Sequence, residues 1–233
     1  MNLAMTALLW FTTFFVPSSA IPQAAIFAEG TTSTITQIVH ANTDTFTTVN
    51  ANVTTGQGLV YITLNEGAVP SLTITDPCSD TWTNQIGNNS GGSAGVAIIW
   101  TKATCGFSIG STITSSFSGP TFIYSISPFS SSSAQDQDAT APLSGATSWS
   151  AGPTSTQTGT GLCFVGAAGA SSPTFSVGMG WTIAPGTNNL SNGDSRVLFA
   201  EFAQYASGNT VTGTATASGS SSGGMAVKCL KQS

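Results

Sequence analysis

Charge is what this sequence lacks most. Its 233 residues hold four Lys or Arg and nine Asp or Glu, 6% of the chain, where a soluble domain usually carries about 25%. The four cations, Lys102, Arg196, Lys228 and Lys231, form no cluster. A surface that tracks phosphates needs one, so the sequence argues against nucleic acid as a partner. There is one histidine, His40, and no GxSxG elbow. Acid–base and nucleophilic catalysis draw on imidazoles, carboxylates and cations. With so few of these, the chain reads as a non-enzyme and His40 as an edge or surface residue. No CxxC or Cys/His spacing is present, so a structural zinc site is not expected. Glu, Lys and Arg are also strong helix formers, and their scarcity argues against an α-rich fold. The longest apolar run, residues 3–16, falls short of the roughly 20 residues a membrane-spanning helix needs. No stable transmembrane anchor is expected.

What is present is apolar and hydroxylic. Hydrophobic residues make up 40% of the chain, too many for a disordered one. Ser, Thr and Gly fill the polar places. Thr favours strands and is tolerated on an exposed sheet face. Residues 1–20 combine the apolar run LAMTALLWFTTFFV with Pro17 and the small residues Ser18, Ser19 and Ala20. They read as a signal peptide, although no Lys or Arg precedes the run. The alternative is a hydrophobic N-terminal arm that packs in an assembly. Residues 21–30 read as a linker.

From residue 31 to 233 the chain is a series of short apolar or alternating runs with turn residues between them. GLVYITL (58–64) and GLCFVGAA (161–168) are apolar on both faces, as covered central strands are. GVAIIWT (95–101) is the strongest run. RVLFAEFAQY (196–205) contains helix formers but sits between Asp194 and Gly208 in a β context, and is expected as a strand. TVTGTATAS (210–218) alternates, and GMAVKCL (224–230) closes the chain. Residues 127–160 are read as a long connection with one or two short strands. About a dozen strands at spacings of roughly 8–12 residues predict an all-β fold. The expected form is a single two-layer antiparallel β-sandwich, jelly-roll-like.

Four segments carry a resemblance: GLVYITL, LTITDPCSDTWT (72–83), STITSSFSG (111–119) and TVTGTATASGSSSGGMAVKCLK (210–231). Together they resemble a diffuse family of Ser/Thr/Gly-rich β-sandwich proteins of phages and of bacterial surface or secreted proteins. The likeness covers about residues 35–231 and departs at Cys78-Ser79, where that family more often has a Gly-Asn turn. It implies a structural or adhesive sandwich at a virion or cell surface and carries no catalytic residue.

The candidate sites are few. Cys78, Cys105, Cys163 and Cys229 are an even set behind an apparent leader, which suggests disulfides and an extracellular, secreted or virion-surface setting. Two chain reversals place Cys78 and Cys105 at one end of the sandwich, so these two should pair. Cys163 and Cys229 lie inside apolar strands, where they either bridge on facing positions or stay buried thiols. Two acid pairs stand out: Asp76 and Asp80 flank one turn, and Asp136 and Asp138 form a D-x-D. Either could hold calcium with backbone carbonyls, with Asp136 and Asp138 as the candidate ligands. The ordinary reading of such Asp is turn capping. Trp149, in the Ser-rich connection, and Trp181 are candidate sugar-stacking aromatics. They support an alternative function as a secreted carbohydrate-binding module, assisted by calcium, that recognises surface glycans. Strand edges rich in Ser and Thr and poor in Lys lack the usual protection against edge-to-edge pairing. Copies are therefore expected to associate, or to dock on a larger assembly.

Overall fold

The computed structural model describes residues 33–42, 46–67, 69, 71–89, 94–129, 135–186, 188–191, 193 and 195–232. The expected leader or arm at 1–20 and the linker at 21–30 lie outside them, as do Glu29, Asp44 and Asp194. The described residues contain no helix and fifteen strands, all antiparallel where they pair. In chain order these are β1 (Thr34–Ala41), β2 (Phe46–Thr48), β3 (Gly58–Asn65), β4 (Ile74–Thr75), β5 (Thr83–Asn89), β6 (Gly95–Lys102), β7 (Thr112–Ser115) and β8 (Thr121–Ser127). The second half contributes β9 (Gln135–Ala151), β10 (Gly161–Ala170), β11 (Phe175–Val177), β12 (Thr182–Ile183), β13 (Asn189–Ser191), β14 (Arg196–Tyr205) and β15 (Gly213–Lys231).

A five-stranded sheet in the order β1-β8-β3-β6-β5 occupies the middle of the molecule. Its three inner strands, β8, β3 and β6, are buried along nearly their whole length because both of their faces are covered, whereas the outer strands β1 and β5 are more polar. Val60, Ile62 and Leu64 of β3 point one way with Val96, Ile98, Phe122 and Tyr124. They meet Leu162, Phe164, Leu198 and Leu230 of a second sheet, ordered β11-β15-β10-β14-β12 with β9 beside β15 and β13 beside β14. Leu59 and Tyr61 of β3 point the other way, with Ile99 and Ile123, against Val49, Ile74 and Ile113. Those three residues belong to or adjoin a small sheet, β2-β7-β4. Antiparallel sheets therefore pack face to face as the alternation predicts, but the middle sheet is covered on both sides and the layers exceed two.

The second sheet also covers itself. TVTGTATAS and GMAVKCL are not separate strands. They join in the 19-residue β15, whose register against β9 shifts between Thr216 and Gly223. That irregularity bends the strand. The first part of β15 then lays Ala215 and Ala217, with Trp149, Ala151 and Phe175, over Val165, Phe199, Met225 and Val227. The expected loose connection at 127–160 holds the 17-residue β9. Its composition misleads because β9 pairs only with β15. An edge strand tolerates Pro142, Gly145 and many serines that a central strand would not.

Candidate functional site

The polar groups of this molecule gather at three places. The first is the end where β4 turns into β5 and β6 into β7. Asp76 Oδ1 accepts the backbone N–H of Cys78 at 2.8 Å and of Asp80 at 3.3 Å, and Oδ2 accepts Trp82 Nε1 at 2.7 Å. This is an Asx-type turn, and it seats the Trp82 ring edge-on to Tyr61 with centroids 6.2 Å apart. Asp80 Oδ1 accepts Thr104 N at 3.0 Å and the Thr104 hydroxyl. The Cys78–Cys105 disulfide, with Cα atoms 5.6 Å apart, ties the same two loops together. The two reversals in the sequence do bring these cysteines to one end.

The second place lies where β9 begins beside the end of β15. Asp136 is buried and fully engaged. It accepts Thr158 N (2.9 and 3.1 Å), the Thr158 hydroxyl (2.9 Å), Gly159 N (2.9 Å) and Tyr205 OH (3.1 Å). Burial alone would raise its pKa, but the Thr158 and Gly159 N–H groups and the two hydroxyls outweigh it and hold the carboxyl below the usual range. Burial, and then the Asp136 charge, push the Tyr205 phenol up. Asp138 instead accepts Lys228 Nζ at 2.9 Å and Gln135 Nε2 at 2.8 Å. The Lys228 side chain is 0% exposed and that of Asp138 14%. Burial pulls Lys228 below the ordinary lysine value and lifts Asp138 above the ordinary aspartate value, and their attraction opposes both shifts. One step on, Cys163 and Cys229 face each other across β10 and β15 and are bridged.

The structure gives the two carboxyls of the D-x-D, Asp136 and Asp138, separate sets of partners. β15 advances from Lys228 to Leu230 while β9 steps from Asp138 to Gln135. The bulge breaks the shared orientation of alternate strand residues. One carboxyl therefore meets Thr158, Gly159 and Tyr205, while the other meets an ammonium group that already supplies its counter-charge.

The third place is Glu201 on β14, 0% exposed. Its Oε2 accepts Gly178 N at 3.0 Å, from the turn before β12. Its Oε1 meets no donor, and the nearby buried Thr214 hydroxyl is likewise unpartnered. Burial pushes the carboxyl up to about 8, with only the Gly178 N–H opposing. Glu201 is therefore predominantly neutral at pH 7. Neither Glu201 nor Lys228 was singled out from sequence, although a signal existed. Each interrupts the inward-facing or flanked apolar positions of a strand, Glu201 after Val197 and Phe199, Lys228 between Ala226 and Leu230.

Trp149 does not serve as an exposed aromatic. It is 1% exposed, stands edge-on to Phe175 at 4.9 Å and donates Nε1 to Ala146 O. The rolled second sheet encloses it. Trp181 is half-buried against the same core and donates Nε1 to Thr212 O at 3.0 Å. The two do not form a stacking platform. His40 is exposed on β1 opposite Phe122, and its imidazole makes no hydrogen bond among the described residues. A groove of about 420 Å³ lies between β1 and β12 over Ile35, Ile183, Pro185 and Phe202, with Ser33, Thr34 and Thr182 around it and no charged group.

The two disulfides fit an extracellular or secreted protein. No helix among the described residues is long and apolar enough to cross a membrane. Comparison of the chain with protein families, with curated proteins and with solved structures gives no match.

Proposed function

We propose that this chain is a non-enzymatic structural or adhesive β-sandwich protein of a virion or cell surface, working through contacts with its own copies or with a larger assembly. The observation that carries this reading is where the few charges sit. Asp76, Asp80, Asp136, Glu201 and Lys228 are buried, and only Glu66 among the described charged residues is exposed. Soluble monomers keep charge outside, where it limits association. Here the outside is hydroxyls, amides and some apolar groups: Met179 is 89% exposed, Ile109 63% and Ile183 44%.

The edge strand β9 has no Lys or Arg along its length and no charge after Asp138. The Gln157 amide caps its backbone only at Gln137, accepting from the N–H at 3.1 Å and donating to the carbonyl at 3.4 Å. The strand order of the first half, β1-β8-β3-β6 facing β2-β7-β4, is that of a jelly roll except that β5 joins β6. Jelly rolls serve in capsid and lectin domains, which supports the reading by analogy only.

Sedimentation velocity over a wide concentration range tests the proposal. Association that grows with concentration, changes little with salt and weakens in Ser144→Lys is the expected result, since an edge lysine blocks strand addition. A monomer at every concentration that also binds nothing on the surface it comes from would overturn it.

A further inference from the structure

We propose that the loop Asp76–Asp80, closed by the Cys78–Cys105 bridge, binds a calcium ion. One carboxyl oxygen each from Asp76 and Asp80 lie within 4.8 Å of each other and of Cys78 Sγ. Asp76 is 4% exposed and Asp80 8%. Neither carboxyl meets a Lys, Arg or His among the described residues, whose ion pairs are Arg196–Glu66 and Lys228–Asp138.

The second observation is Asp80 Oδ2. It is out of contact with solvent and accepts no hydrogen bond, although Oδ1 of the same carboxyl takes two donors from Thr104. Two buried acids side by side, one with an oxygen that nothing satisfies, call for a positive partner.

The donor set selects the ion. Cys78 sulfur is held in the disulfide and is no thiolate, so zinc and other thiolate-seeking metals lose their ligand. What remains is oxygen. Calcium takes oxygens at roughly 2.3–2.6 Å, so two ligands of one ion stand up to about 5 Å apart, and its irregular shell accepts backbone carbonyls and water. Pro77 and Ser79 are exposed beside the acids and leave the loop open to water. The ion would fix the β4–β5 loop against the β6–β7 loop, a role independent of whether copies associate.

Trp82 allows the site to be located. Its Nε1 donates to Asp76 Oδ2 at 2.7 Å, so terbium in place of calcium would lie within a few ångströms of the indole and be excited through it. The full, disulfide-intact chain is titrated with terbium and then with calcium. Expected are one ion per chain, tryptophan-sensitised emission that calcium quenches by competition, and a calcium Kd of roughly 0.1–1 mM, the range of extracellular modules with few charged ligands. Asp80→Asn should weaken calcium binding at least tenfold. Trp82→Phe should remove the emission while calorimetry still shows calcium bound, a readout that survives if Asp80→Asn does not fold. No calcium heat in calorimetry, or emission that persists in Trp82→Phe, would overturn the site.

Discussion

Glu201 lies inside the rolled second sheet, and replacing it by Gln makes a test that the structure quantifies. The folded chain holds the carboxyl proton until about pH 8, whereas an ordinary glutamate releases it near 4.5. Between those values the folded state binds more protons than the unfolded state, so stability falls as pH rises. The stabilisation is fully present below about 4.5, declines through the window and is gone above about 8. At roughly 1.4 kcal/mol per pKa unit the full loss is on the order of 5 kcal/mol, with about 3 kcal/mol already lost at pH 7. Gln is isosteric, can accept from Gly178 N in the same way and does not titrate. Urea unfolding followed by tryptophan fluorescence between about pH 5 and pH 9 should show wild type losing stability against Glu201→Gln along this curve. The difference should be small at the acid end and several kcal/mol at pH 8. The Asp138–Lys228 pair and Asp136 titrate alike in both proteins and drop out of the comparison. Parallel curves for the two proteins would refute the assignment of a buried neutral carboxyl.

Two further outcomes follow from the buried polar groups and bridges. Asp138→Asn should destabilise by about 3–5 kcal/mol, because it leaves the fully buried Lys228 without its counter-charge; Lys228→Met should cost less, since Asp138 reaches solvent, and chemical denaturation that ranks them the other way would contradict this. The bridges close separations of 27 and 66 residues, which the chain-entropy account values at about 3.5 and about 4.4 kcal/mol. Mild reductant followed by alkylation and mass spectrometry should open Cys78–Cys105 first, because Cys105 is exposed while Cys163 and Cys229 are 0% exposed.

The antiparallel fold was legible because hydrophobic alternation survives the odd composition. β3, β6, β10 and β14 all fall on runs that read as strands, and Glu201 did not turn β14 into a helix. β9 was not legible, because an edge strand that pairs on one side needs little β-propensity of its own. Nor was the bend in β15: Gly219 to Gly223 reads as a loop between two strands, while the structure keeps pairing through Ser221. That bend decided the Trp149 question. A tryptophan in a Ser-rich segment looks exposed until the segment folds over a core. The paired cysteines were partly readable. Counting reversals placed Cys78 by Cys105, but the facing of Cys163 and Cys229 depends on register, which composition does not set.

Register is the problem that the buried charges address. Much of β9 and β15 is Ser, Thr, Ala and Gly, residues that pack almost equally well on either face, so their pairing alone is weakly specified. A slip of one residue would turn Lys228 from the face it shares with Ala226 and Leu230 toward the core of Met225 and Val227, away from Asp138. The same slip would part Cys229 from Cys163 on the opposite strand. On β14 it would carry Glu201 off the Gly178 N–H and set Phe199 facing the wrong core. Each wrong register strands a charge or polar group in apolar surroundings. Buried polar groups of this kind add little to net stability, and their best-attested use is to select one arrangement over its neighbours. In a chain with thirteen charged residues, the buried Lys228 and Glu201 and the partly buried Asp138 tie the pairing of β9, β14 and β15 to one register.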